Sequence, residues 1–175
     1  MTPAIGITGW KNSGKTTLAA RLITEFAARG YRVCAVKHAH ESFDIDQPGR
    51  DSYRLREAGA RRVVLSSPKR WALVHELGGD PEVSLDRLLG QAAGFDLVMI
   101  EGYKSEPFPK IEVRRDGASS RQPLVGRASQ VVAVASDRPG EEPDALPVFH
   151  VDDIVGIADF IIAYLRLEAA RDEAR

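Results

Sequence analysis

Apolar positions fall into two alternating patterns along the chain. Short apolar stretches of strand length occur at Ala4-Ile5-Gly6-Ile7-Thr8, Tyr31 to Lys37 with Val33 to Val36 as its apolar run, Phe95 to Ile100 and Val131 to Ala135. Such runs read as strands buried on both faces. Between them lie stretches with helical spacing. Leu18, Leu22 and Phe26 stand at i, i+4 and i+8, and Gly30 follows as a C′ glycine. Arg50 to Ala58 reads as a short helix closed by Gly59. Asp80-Pro81 pairs a capping carboxylate with a first-turn proline, and Leu85, Leu88, Leu89 and Ala92 supply an apolar face. A closing helix is predicted over Asp152 to Leu167, with Ile154, Ile157, Ala158, Ile161, Ile162 and Leu165 inward.

Further strands are expected at Arg62 to Ser66 and Trp71 to His75, joined as an antiparallel hairpin by Ser67-Pro68-Lys69-Arg70. Lys110 to Arg114 and Val148-Phe149 complete the set, and Arg138 to Pro147 reads as a loop. Strands alternating with helices imply a mostly parallel sheet, with ligands beyond the carboxyl ends of its strands. That rule gathers Lys37-His38, Glu101-Gly102 and Ser136-Asp137 at one edge.

The first strand runs into Gly9-Trp10-Lys11-Asn12-Ser13-Gly14-Lys15-Thr16-Thr17, which fits G-x-x-x-x-G-K-[ST] at every fixed position. Glycines let the backbone bend around an anion, and the loop amides form a nest for phosphate oxygens. The helix behind adds free N–H groups and the positive end of its dipole. Lys15 supplies a cation for the β- and γ-phosphates, and Thr16 a hydroxyl for Mg²⁺. The expected class is therefore α/β: a P-loop NTPase-like three-layer sandwich with helices on both faces of a mostly parallel sheet. Residues 1–167 are expected to form a single domain, and 168–175 a charged C-terminal tail.

A carboxylate is needed opposite the loop, and Glu101 at the end of an apolar strand is the candidate; Gly102 lets backbone approach the γ-phosphate. Asp44 and Asp46 follow the second strand. Asp46 is preferred for the metal or its water, because Gln47-Pro48-Gly49 can fix a bend there. Asp137 is a candidate reader of guanine, since a carboxylate can accept from N1–H and the amino group together; a capping role is the alternative. His38 and His40 could line the site or, with further ligands, hold Zn²⁺ or Ni²⁺. Arg50, Arg54, Arg56, Arg61, Arg62, Lys69 and Arg70 concentrate positive charge that suits either a phosphate-bearing ligand or a solvated face.

The 175-residue chain carries a formal net charge of −1, which gives no nucleic-acid signature. Cys34 is the single cysteine, so no intramolecular disulfide can form. No run of 18 apolar residues exists, so no membrane span is expected, and no charged-then-apolar leader is visible; a cytoplasmic location fits these features.

The glycine loop together with Lys37-His38-Ala39-His40, the segment from Asp44 to Ser52, Arg56 to Ala60, Arg70 to Leu73, Glu101-Gly102-Tyr103-Lys104 and Ala133 to Asp137 resembles the MobB family. These are GTP-binding adaptors of molybdopterin guanine dinucleotide biosynthesis. The resemblance implies a P-loop fold, GTP with Mg²⁺, weak intrinsic hydrolysis and a homodimer. It also implies a partner, the molybdenum cofactor guanylyltransferase, with molybdopterin as a further candidate ligand. By position, Gly9, Lys11, Asn12, Ser13, Gly14, Lys15, Thr16 and Thr17 would hold phosphates, Thr16 the Mg²⁺, and Asp46 and Glu101 the metal side. The role of Lys104 stays open. A small-molecule kinase and a GTP-driven metal-delivery protein are the alternatives to an adaptor with GTPase activity.

Overall fold

The computed structural model describes residues 2–39, 46–124, 126–142 and 145–169. The chain divides into two compact units, one formed by residues 1–38 and 88–175 and the other by residues 39–87. His40 and Asp44 lie outside the described residues, as do most of the charged tail's positions.

In the larger unit, β1 (Ala4–Gly9), β2 (Val33–Lys37), β5 (Leu97–Glu101), β6 (Lys110–Arg114), β7 (Val131–Ser136) and β8 (Val148–His150) form one sheet, ordered β2-β5-β1-β6-β7-β8. Every pairing in it is parallel. The chain leaves β1 toward the β2 side, and the β5–β6 connection later crosses to the other flank of β1. The carboxyl end of β1 is thus a switch point of the topology, where such sheets open a crevice.

One sheet face is apolar. Ile5, Ile7, Leu97, Met99, Ile111, Val113, Ala133 and Ala135 pack against Leu18, Leu22 and Phe26 of α1 (Lys15–Ala28) and Ile157, Ala158 and Ile161 of α4 (Ile154–Leu165). α1 closes on Gly30 at φ 84°, where the Tyr31 N–H donates to the Phe26 carbonyl. This is the expected left-handed stop, one residue beyond the Arg29 cap. At α4, the Asp153 side chain accepts from the Gly156 N–H.

The opposite face is mixed and still buried: beside Val98, Ile100 and Val134, the polar residues Thr8, Lys110, Glu112, Arg114 and Ser136 are all at most 1% exposed. Residues 121–124, 126–130 and 138–142 lie against it. Glu112 accepts from the Leu124 N–H and pairs with Arg114 at 2.7 Å; Arg114 also pairs with Glu142 at 2.8 Å. Arg121 joins Glu142 to Asp137, and Ser136 donates to Glu142. The loops after β6 and β7 are therefore held by ions inside the protein.

Lys110 shows how strongly this face is organised. Its ammonium donates to the carbonyls of Glu106, Phe108 and Ser129 and lies 3.8 Å from the Phe108 ring centroid. Burial pushes its pKa from 10.5 down to about 8, against the attraction of Glu106. The folded protein thus binds fewer protons at this site than the unfolded chain between pH 8 and 10.5. Stability should rise with pH through that window, as the penalty on the charged form is relieved. Urea unfolding across it should show wild type gaining on Lys110→Met; a constant difference would contradict the assignment.

In the smaller unit, α2 (Asp51–Glu57) precedes the antiparallel pair β3 (Arg62–Ser66) and β4 (Trp71–His75), joined as the spacing predicts. Val64, Trp71 and Leu73 share one face of this hairpin and are 61%, 68% and 48% exposed.

Two sequence expectations change. The helix expected from Asp80-Pro81 is only α3 (Leu85–Leu89), followed by a 3-10 turn at Gly90–Ala92. Asp80 pairs with Arg61 at 2.9 Å, and Ser84 accepts from the Arg87 N–H near the helix start. β2, expected as a buried run, is a sheet edge with Val33, Cys34 and Val36 half-buried and Ala35 exposed. Its four apolar residues look internal in sequence, but among the described residues only β5 pairs with them.

Candidate functional site

The loop between β1 and α1 turns on three residues with positive φ: Gly9 at 152°, Asn12 at 64° and Gly14 at 87°. A Cβ on Gly9 would stand 2.5 Å from Ser13 Oγ and 2.7 Å from the Val113 carbonyl oxygen, so a side chain there would break the loop. Gly14 caps α1 without a side-chain hydrogen bond, and α1 carries no acid in its first turn. The helix therefore presents uncapped first-turn amides next to a bent backbone, a combination suited to anions. Ser13 Oγ is buried within the loop with no hydrogen-bond partner among the described residues, as is Thr8 Oγ1 below it. A buried hydroxyl without a partner carries a cost that a ligand oxygen would remove.

Lys15 arches back over the loop and donates to the Trp10 carbonyl at 2.8 Å. Burial lowers its pKa, as do the charges of Lys104 and Lys37, while Glu101 opposes them. Across from it, Thr16 Oγ1 lies 2.9 Å from both carboxylate oxygens of Glu101. Lys37 Nζ is 3.4 Å from Glu101 and 3.4 Å from Thr16 Oγ1. The sheet register explains the meeting: Ile7 and Lys37 both stand opposite Glu101, so β5 delivers its acid between the end of β1 and the end of β2. A hydroxyl and a carboxylate on one point are hard oxygen donors of the kind Mg²⁺ takes.

Gly102 follows at φ 103°, where a Cβ would stand 2.8 Å from His38 Cβ. Tyr103 is also left-handed, at φ 49°, an arrangement that costs a non-glycine residue about 1–2 kcal/mol. Its ring stacks on His38 with centroids 4.5 Å apart. His38 therefore lines this end of the sheet as an aromatic partner. Among the described residues, no group of three His, Cys, Asp or Glu could hold a metal.

Sequence reasoning missed what clamps the loop from the β6 side. The Trp10 indole N–H donates to the Gln122 carbonyl at 2.7 Å, and the Ser119 N–H to the Lys11 carbonyl at 2.8 Å. Arg115 lies along Gly14, with Nη1 3.0 Å from the point a Cβ would occupy. Lys104 sets its ammonium 5.2 Å from the centroid of the Trp10 ring. These contacts join residues about a hundred positions apart, and no local motif announces them.

The remaining candidates have partners of their own. Asp137 accepts from Arg121 at 2.6 Å and from the Asp116 N–H at 2.8 Å. Burial would raise its pKa, but these hydrogen bonds bring it below the usual carboxylate value. Asp46, in the smaller unit, accepts from Ser52 Oγ at 2.6 Å and from Arg56 Nε at 3.3 Å; Arg56 also pairs with Glu76. Part of the basic concentration is thus used to build that unit.

A six-stranded parallel sheet with this glycine loop after its first strand defines an α/β protein of P-loop-like fold. Residues 4–137 match the family model described as MobB, molybdopterin guanine dinucleotide synthesis protein B. The chain is 39% identical over 168 residues to the molybdopterin-guanine dinucleotide biosynthesis adapter protein of Escherichia coli (strain K12), covering 95% of each. It is 42% identical over 165 residues to the Haemophilus influenzae protein of the same name, covering 93% of this chain and 89% of that one. Among solved structures it is similar to a molybdopterin-guanine biosynthesis protein B, with TM-score 0.72, 28% identity and coverage of 93% and 99% of the two chains. Bacillus subtilis MobB gives TM-score 0.71 at 25% identity, with 93% and 97% covered. The chain belongs to the MobB family.

Proposed function

We propose that this chain is a GTP-binding accessory protein of molybdopterin guanine dinucleotide biosynthesis. In this reading it assists the guanylyltransferase that builds the dinucleotide, and turns over GTP slowly. The observation that carries the nucleotide part is the meeting of Thr16 and Glu101 at 2.9 Å beside an uncapped, positive-φ glycine loop. The accessory part rests on family membership and on the relatives' names.

Gly9, Lys11, Asn12, Ser13, Gly14, Lys15, Thr16 and Thr17 would hold the polyphosphate, with Lys15 leaving the Trp10 carbonyl for it. Thr16 and Glu101 would hold Mg²⁺, directly or through water, and Asp46 belongs to the same metal-side reading. Bound Mg²⁺ would offset phosphate charge. Gly102 gives the backbone room beside the terminal phosphate. Asp137 already accepts from Arg121 on one oxygen and from the Asp116 N–H on the other, so guanine selection there would use the remaining lone pairs. Slow hydrolysis follows from the lack of an assigned water-orienting group. A homodimer, or docking of the partner enzyme, would give the exposed apolar face of Val64, Trp71 and Leu73 a cover. Among the described residues, no helix is long and apolar enough to cross a membrane; a cytoplasmic setting belongs to the same reading.

Titration calorimetry with Mg·GTP, Mg·GDP and Mg·ATP tests the reading directly. GTP should bind in preference to ATP, with turnover below about 1 s⁻¹ and no phosphate passed to the pterin. Absence of binding by any of the three nucleotides would overturn it; a phosphorylated pterin would make the protein a kinase.

A further inference from the structure

We propose that Lys104 senses the terminal phosphate: it rests on the Trp10 ring when that phosphate is absent and moves onto it when a nucleoside triphosphate binds. The inference rests on the nucleotide reading above and assigns a role that reading leaves open.

Its first support is where the loop stands. Lys104 follows β5, whose last residue, Glu101, meets Thr16. Were Thr16 and Glu101 to hold a metal that offsets polyphosphate charge, the loop leaving β5 would stand on that same side of the site. The second is a fixed backbone under an unfixed side chain. The Lys104 carbonyl accepts from the Ser129 N–H at 3.1 Å, two residues further on the Glu106 carbonyl accepts from Lys110, and Tyr103 stacks on His38. The Lys104 side chain itself is exposed, and its ammonium sits over the Trp10 ring. An exposed cation over an aromatic ring is held weakly, whereas a phosphate oxygen offers a charge-assisted hydrogen bond.

The third support is charge. Lys37 pairs with Glu101, whose charge also acts on Lys15, and Lys104 is near enough to weigh on the titration of Lys15. Such an excess of positive charge favours the more highly charged polyphosphate. The Trp10 indole N–H donates to the Gln122 carbonyl, so the ring serves as a fixed resting place.

The chain has two tryptophans, so Trp71→Phe leaves Trp10 as the only indole reporter. In that background, a non-hydrolysable GTP analogue with Mg²⁺ should change Trp10 emission clearly, and GDP much less. Adding Lys104→Gln should abolish the difference and weaken the analogue about tenfold, the scale of one charged hydrogen bond, with GDP affinity within about twofold. Lys104→Arg should restore the preference. Equal effects on both nucleotides, or none on either, would overturn the inference while leaving the nucleotide reading intact. Failure of the parent protein to bind either nucleotide would overturn both.

Discussion

Lys15→Ala lowers affinity for Mg·GTP by about 100-fold or more, with little change in the fold. The side chain supplies no core packing: it is half-buried at the start of α1 and donates to the Trp10 carbonyl. Its ammonium is the group that burial and the neighbouring Lys104 make costly to keep charged, so a polyanion relieves the site and the lysine together. Two charge-assisted hydrogen bonds at about 1.5–3 kcal/mol each account for the loss. Calorimetry measures the affinity, and circular dichroism with a thermal scan shows that the variant is folded. A folded Lys15→Ala protein with unchanged affinity would remove the loop from the site. Lys15→Arg should recover little, because a planar fork does not replace a compact ammonium inside a tight loop.

Arg114→Leu destabilises the protein by about 3–5 kcal/mol, the scale of an ion pair broken inside a protein. Arg114 is fully buried, and its two carboxylate partners, Glu112 and Glu142, are 0% and 6% exposed. Removing the guanidinium leaves Glu112 without its countercharge and Glu142 with Arg121 alone. The sign of the pH dependence provides a second check. In the wild type, burial alone would raise the Glu142 pKa from 4.5, but hydrogen bonds from Ser136 and Arg114 hold it lower. Its contribution to stability is complete above pH 4.5 and is lost as pH falls through the lowered folded value. Without Arg114 the burial remains and its main countercharge is gone, so protonation should relieve the variant. Acidification from neutral pH toward 4.5 should therefore narrow the gap between the two proteins, as read from urea midpoints. A gap that widens would mean that water reaches these carboxylates.

The difference between what could be read along the chain and what could not follows the reach of each contact. The glycine loop, the start of α1 and the acid closing β5 are local patterns, so Gly9 to Thr17 and Glu101 were identifiable by type and spacing. The hairpin of β3 and β4 was equally legible, because its link is four residues long. α3 was not: Asp80-Pro81 carries good start signals, yet Asp80 pairs with Arg61 and the helix begins five residues later. The exposure of β2 was hidden because an apolar run does not say how many neighbours it has. Arg115, Arg121 and Gln122 were missed for a related reason. Each acts through the loop after β6, on partners that sequence alone does not bring near. Asp137 was correctly noticed as a strand-end acid, but its engagement with Arg121 depends on a loop of no regular structure.

The placement of β1 also governs when the protein can take shape on the ribosome. Ile5 pairs with Met99 and Ile7 with Ile111, so the first strand made has neither neighbour until most of the polypeptide has been translated. At about 5–20 residues per second, that delay lasts roughly 5–20 s. Throughout it, an apolar strand and the amphipathic helix behind it must avoid other nascent chains without the sheet that later covers them.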